Sequence, residues 1–313
     1  MHNTHTHSTH HRYMIMIHVF IMVLTLAIFT QTEVPYNRVA IDFGFAKIYW
    51  YAVFILTGLL LAAFFSQTEL VKMGYSKDFL YDGLLWGVPI ALLGARLYYV
   101  MFDPIPHYNS FFDIINISKG GLAIHGALIA TFIFLPIYSK LKKVNVMPIV
   151  DILVMGFLIG QIVGRFGNFM NHEAYGPAIQ SEWIIRILPN FILNQMRLGD
   201  VIHHPTFLYE GLWNLVFLIF LITMRQKRVF KIGDYLGLYL IWYGLGRGLI
   251  IEPMRVNGAY GDALMFMNVP INIAMSFVFI LIGIGYMLIK HRHRHALPFQ
   301  VDTYIENQER TEN

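Results

Sequence analysis

Long apolar runs alternate along this chain with short polar connections. Runs long enough for a helix to cross a hydrocarbon core of about 30 Å occupy 13–30, 50–66, 79–102, 121–138, 147–165, 207–224, 235–251 and 268–289. Each run is continuously apolar, whereas the strands of a membrane barrel are short and alternate with period two. A helix satisfies all of its backbone hydrogen bonds within the segment, so continuous runs predict helices. The expected fold is an all-α polytopic membrane bundle of about eight spans.

Composition agrees with this picture. Hydrophobic residues make up 56% of the 313 and charged residues only 13%, with a mean hydropathy of +0.53. Soluble domains carry roughly 25% charged residues, so polar surface is too scarce here to cover a water-soluble globule. The basic residues collect in Lys140, Lys142 and Lys143, in Arg225, Lys227, Arg228 and Lys231, and in Lys290, Arg292 and Arg294. All of these fall on one side if every run spans, and retention of Lys and Arg in short inner loops makes that side cytoplasmic. The N-terminus with Arg12 is then inside, and 103–120, 166–206 and 252–267 are outside. The net charge of +4 describes topology rather than nucleic-acid binding. The chain has no cysteine, which excludes disulfides, thiolate metal sites and a cysteine nucleophile.

The first run, Tyr13 to Thr30, follows a polar stretch with a basic residue, as a signal peptide does. It is long for such a segment, and Leu26-Ala27-Ile28-Phe29-Thr30-Gln31 offers no small-residue cleavage pattern, so a retained extra helix is expected. The histidines at 2, 5, 7, 10 and 11 are not read as a metal site, and no cofactor is expected. Residues 298–313 read as a short disordered tail.

Once the spans are oriented, the informative polar residues share one depth. Tyr51 opens the second run, Arg96 lies near the outer end of the third, and His125 near the outer start of the fourth. Arg165 closes the fifth, followed by Asn168, Asn171 and Glu173; Tyr209 and Glu210 open the sixth, and Arg247 and Glu252 lie toward the outer end of the seventh. Ionisable groups in a bilayer are costly and face a bundle interior or a wet path. Arg165 and Asn168 are three apart, about 60° on a helix, and can address one ligand. Arginine holds phosphate through paired donors, while asparagines can fix ester or glycerol oxygens. Each residue also has a structural explanation: Arg96 and Arg247 as snorkelling side chains, Glu210 as a buried ion-pair partner, Tyr51 as a belt aromatic, His125 as a packing histidine. Asp151 lies near the inner ends, where a structural role is favoured. An anion transporter and a lipid-binding assembly protein are compatible with the same set.

The run Gly164-Arg165-Phe166-Gly167-Asn168-Phe169-Met170-Asn171-His172-Glu173-Ala174-Tyr175-Gly176, with Gly120-Gly121-Leu122-Ala123-Ile124-His125-Gly126, resembles the prolipoprotein diacylglyceryl transferase family. Trp50-Tyr51, Gly94-Ala95-Arg96-Leu97-Tyr98-Tyr99, His204-Pro205-Thr206-Phe207-Leu208-Tyr209-Glu210 and Gly246-Arg247 follow in the family's order, so the resemblance covers roughly 45–290. It implies a multi-pass protein of the bacterial cytoplasmic membrane with a seven-helix transferase core, its site facing the outer leaflet. The implied reaction moves the diacylglyceryl group of phosphatidylglycerol to the lipobox cysteine of an exported prolipoprotein, leaving a thioether and glycerol phosphate. The family's essential histidine corresponds to His125, its signature arginine, asparagine and glutamate to Arg165, Asn168 and Glu173, its later arginine to Arg247, and its tyrosine to Tyr51. Asn171, Arg96 and Glu210 complete the expected substrate-binding set, with Tyr51 donating to the headgroup and His125 a candidate base. The division that follows is 1–30 as an extension with an added helix, 31–290 as the transferase domain, and 291–313 as a cytoplasmic tail.

One spacing departs from the family pattern. The acidic residue after Arg247 is Glu252, five positions on where four is expected, and five steps of a regular helix turn it about 140° away from the arginine. A role for Glu252 in the site therefore requires the helix to bulge or to end early.

Overall fold

A computed structural model describes residues 2–29, 34–102, 108, 110–116, 121–225, 227–256, 265–266, 269–292, 297–300 and 302–303, without the side chains of 2–10, 124, 125, 256, 265, 266, 269 and 271. Each apolar run is a helix: α1 (His2–Phe29), α2 (Trp50–Lys72), α3 (Phe79–Met101), then, after the short α4 (Phe111–Ile115), α5 (Ile124–Leu141) and α6 (Val146–Asn171). Two short helices, α7 (Glu182–Ile187) and α8 (Asn190–Gln195), precede α9 (Thr206–Met224). The seventh run is α10 (Asp234–Leu245), a π-helical turn (Gly246–Ile251) and α11 (Glu252–Val256); the last is α12 (Ile271–Arg292). Among the described residues, six helices are long and apolar enough to cross a membrane: His11–Phe29, α2, α3, α6, α9 and Asn272–Arg292. Three two-stranded hairpins, β1/β2 (Val39–Asp42, Lys47–Tyr49), β3/β4 (Arg197–Leu198, Val201–Ile202) and β5/β6 (Met265–Phe266, Val269–Pro270), decorate the connections. The chain is a multi-pass, all-α membrane protein.

Small residues decide which helices touch. Gly58, Ala62 and Ser66 line α2 four apart and meet Gly160 and Gly156 of α6, while Gly164, four further on, meets Ile55. A Cβ on Gly58 would sit 3.0 Å from the Gly160 carbonyl oxygen, and one on Gly164 would sit 3.3 Å from Ile55 Cδ1. Helices in lipid gain little from apolar burial against each other, so close backbone approach at small residues supplies the packing. The same logic joins α3 to α5, where a Cβ on Gly94 would lie 2.7 Å from the Gly126 carbonyl oxygen.

The opposite end of the bundle is tied by polar groups. Asp151, fully buried on α6, accepts the backbone N–H groups of Gly233 and Tyr235 and the side-chain amide of Gln300. A carboxylate there satisfies donors that the start of α10 leaves without intrahelical partners, which is the structural role expected of it. The tail is a correction. Rather than being disordered from 298, Gln300 is buried, its N–H donates to Phe230 O at 3.0 Å, and Phe299 bridges to Lys231. Composition concealed this because the segment is tied by a few specific contacts, Gln300 on Asp151, Lys231 on Leu297 O and Arg228 on Asp302; residues 301 and 304–313 lie outside the described residues.

Candidate functional site

The motif-bearing end of α6 stops because His172 takes the left-handed conformation, with φ 58° and ψ 43°, and its N–H returns to Phe169 O at 3.2 Å. Glu173 N–H closes on Asn168 O at 3.2 Å, and Ala174 keeps a positive φ of 57°. The chain then runs alongside the approach to α9. Gly176 N–H donates to His204 O at 2.9 Å and Ile179 N–H to Ile202 O at 2.8 Å, while Thr206 Oγ1 donates to Ala174 O. These bonds fix Glu173 beside the helix that carries Glu210. Burial lowers the pKa of His172, and burial followed by His203 lowers that of His204. Both imidazoles are therefore neutral near pH 7 and add no charge to the site.

From this frame an ion network converges. Arg165 Nη2 pairs with Glu210 Oε1, and Arg165 Nη1 donates to Asn168 Oδ1 at 3.3 Å. Asn168 Nδ2 donates in turn to Glu173 Oε1 at 2.8 Å. Arg247 Nη1 reaches Glu210 Oε2 at 3.3 Å, and Arg247 Nη2 reaches Glu252 Oε1 at 2.5 Å. Arg255 also bridges the pair, 3.5 Å from Glu210 Oε2 and 3.5 Å from Glu252 Oε1, and Asn272 Nδ2 donates to Glu252 Oε2 at 3.4 Å. Glu210 and Glu252 are each 4% exposed. Buried ion pairs contribute little net stability, because desolvation offsets the attraction, so a network of this size inside a bundle is a candidate functional site.

The bulge that a role for Glu252 requires is present. A π turn closes hydrogen bonds from i to i+5, so residues five apart come onto one side. The π-helical Gly246–Ile251 turns Glu252 back to Arg247. Arg255 is a residue the sequence reading missed. The signal was present in Glu252-Pro253-Met254-Arg255, a glutamate and arginine three apart, which share a helix face.

Other expected residues lie around this network. The tight α2–α6 crossing brings Tyr51 beside the motif: a Cβ on Gly167 would be 3.0 Å from Tyr51 Cδ2. Asn171 is the half-buried last residue of α6. His125 falls in the first turn of α5, directly before Gly126 at the α3 contact; its imidazole lies outside the described residues. Arg96 does not snorkel. It is 3% exposed, donates to Ile114 O at 2.9 Å, Asp113 O at 2.8 Å and Gly121 O at 3.3 Å, and lies over the rings of Tyr99 and Tyr108. It therefore ties the connection between α3 and α5 to the bundle.

A family model described as prolipoprotein diacylglyceryl transferase matches residues 38–289. A protein of Lysinibacillus sphaericus named phosphatidylglycerol–prolipoprotein diacylglyceryl transferase is 43% identical over 228 residues, which cover 72% of this chain and 82% of the relative. Proteins of the same name are 37% identical in Enterococcus faecalis, covering 77% and 86% of the two chains, and 41% identical in Bacillus cereus, covering 77% and 87%. Matches of this extent, embracing every helix from α2 through most of α12 and all of the arginine–glutamate network, show that the chain belongs to the prolipoprotein diacylglyceryl transferase family.

Proposed function

We propose that this protein transfers the diacylglyceryl group of phosphatidylglycerol to the lipobox cysteine thiol of exported prolipoproteins, and that the arginine–glutamate network is where the phosphate is held. The relatives' names supply the substrates. One observation carries the site: Arg165, Arg247 and Arg255 converge on Glu210 and Glu252, while Arg255 Nε is buried without a hydrogen-bond acceptor among the described residues and Arg255 Nη2 has only the 3.5 Å ion pair with Glu210. Buried donors of this kind are costly unless an acceptor arrives, and a phosphate oxygen is one.

In the reaction, sulfur attacks the glycerol carbon bearing the phosphate. A C–S bond forms as the C–O bond breaks, the thiol proton departs, and glycerol phosphate leaves with one more ionisable oxygen than the diester had. Guanidinium groups already fixed by glutamates need little reorganisation as that charge grows. Asn168, held between Arg165 and Glu173, orients the glycerophosphate, and Asn171 and Tyr51 border it. His125 takes the thiol proton, a task suited to an imidazole near neutral pH. Arg96 acts by holding the α3–α5 connection in place. The protein resides in the bacterial cytoplasmic membrane with this network toward the outer leaflet, because the basic connections cluster at the other ends of the helices.

The test uses purified protein, phosphatidylglycerol labelled in its acyl chains, and a lipobox peptide with its cysteine intact or replaced by serine. Label should reach the cysteine peptide alone, with release of glycerol phosphate. Anion flux without transfer, or lipid binding without transfer, would overturn the assignment.

A further inference from the structure

The segment ahead of the family match grips the turn of α6 that carries Arg165 and Asn168. Its anchor is Tyr13 on α1, whose hydroxyl donates to Glu69, a fully buried carboxylate that also pairs with Arg225 and, at 2.7 Å, with Lys72. Further along, Phe20 meets Phe166 edge to face, with ring centroids 5.2 Å apart and planes at 69°. Ala27 and Ile28 are buried in the same core. Beyond α1, Tyr36 meets Phe169 edge to face at 6.2 Å and 69°. Its N–H donates to Gln195 Oε1 at 2.8 Å, and Gln195 Nε2 donates to Phe169 O at 3.0 Å.

Geometry makes these contacts more than anchorage. Phe166 and Phe169 are three apart and share a face of α6; Arg165 and Asn168 each precede one of them, on a face turned by about 100°. Phe207 packs on both phenylalanines from within the bundle, at 5.6 and 4.6 Å, and a further ring held against each from the N-terminal segment restrains the rotation of the helix and the direction of both polar side chains. Edge-to-face aromatic pairs have preferred geometry, which suits them to this task.

We propose that Phe20 of α1 and Tyr36 form a clamp that sets the rotation of the α6 end and aims Arg165 and Asn168 at the phosphate, both acting as positioning residues for transfer. This rests on Arg165 holding the phosphate. The experiment compares kcat and KM of the full chain, at equal amounts of folded protein, for parent, Phe20→Ala/Tyr36→Ala and Tyr36→Phe, each with and without Arg165→Lys. The double alanine variant should lose about tenfold in kcat with KM for the peptide little changed, and Tyr36→Phe, which keeps the ring, should match the parent. In the Arg165→Lys background the alanines should cost less than about twofold more, since both changes act on one group. Parental kcat in the double alanine variant, or losses that multiply fully with Arg165→Lys, would overturn the clamp as an aiming device and leave an anchor for stability. If that variant does not accumulate, Phe20→Leu/Tyr36→Leu is read by the same criteria. Near-parental activity of Arg165→Lys alone overturns the phosphate assignment, and the clamp with it.

Discussion

At the scale of single residues, the site depends on what an arginine offers that a lysine does not. Arg165 spends one guanidinium nitrogen on Glu210 and another on Asn168, a division a single ammonium cannot reproduce. Arg165→Lys should therefore lower single-turnover transfer by roughly a hundredfold, or about 3 kcal/mol. Asn168→Ala should also impair transfer, and the pair should cost less than the two penalties added, because both position one group. A near-parental rate for Arg165→Lys, measured at equal amounts of folded protein, would fit a snorkelling side chain and sink the assignment.

Among the elements, the π turn bears most directly on the site. It inserts one residue between Arg247 and Glu252 and still leaves them 2.5 Å apart. Leu249 in this turn is 56% exposed, whereas Glu210 and Glu252 of the network are buried. Deleting Leu249 should convert the turn to regular helix, leave Arg247 and Glu252 four apart, and keep transfer within about threefold of the parent. Inserting an alanine at the same point should instead turn Glu252 away and abolish most activity. Transfer assays on the two variants distinguish a pairing that needs the π turn from one that needs only the contact. The sequence exposed the odd spacing but not its resolution, since helix type depends on what packs around the turn. A Cβ on Gly248 would sit 2.8 Å from Ser276 Cβ of α12, so that wall is close.

For the whole molecule, orientation is the property with the widest consequence. If the basic connections are cytoplasmic, a single cysteine from Lys227→Cys should resist an impermeant thiol reagent in sealed cells, and one from Ser110→Cys should react. Both positions are exposed, and the chain has no native cysteine to confuse the labelling. The opposite pattern would place the arginine–glutamate network at the inner leaflet and remove its access to exported substrates.

The apolar runs alone determined the long helices, because in lipid a backbone must satisfy its own hydrogen bonds and length sets what can span. The motif residues Arg165, Asn168, Glu173, Glu210 and Arg247 were also legible, being polar where polarity is costly. Tertiary structure decided which of them meet. Glu252 returned to the site through a π turn, Arg255 joined from the following helix, and Arg96 turned to the carbonyls of Ile114, Asp113 and Gly121 instead. Burial, and the need of each buried charge for a partner, act on neighbours in space, and only the packing of α2, α6, α9 and the α10–α11 rod makes those neighbours known.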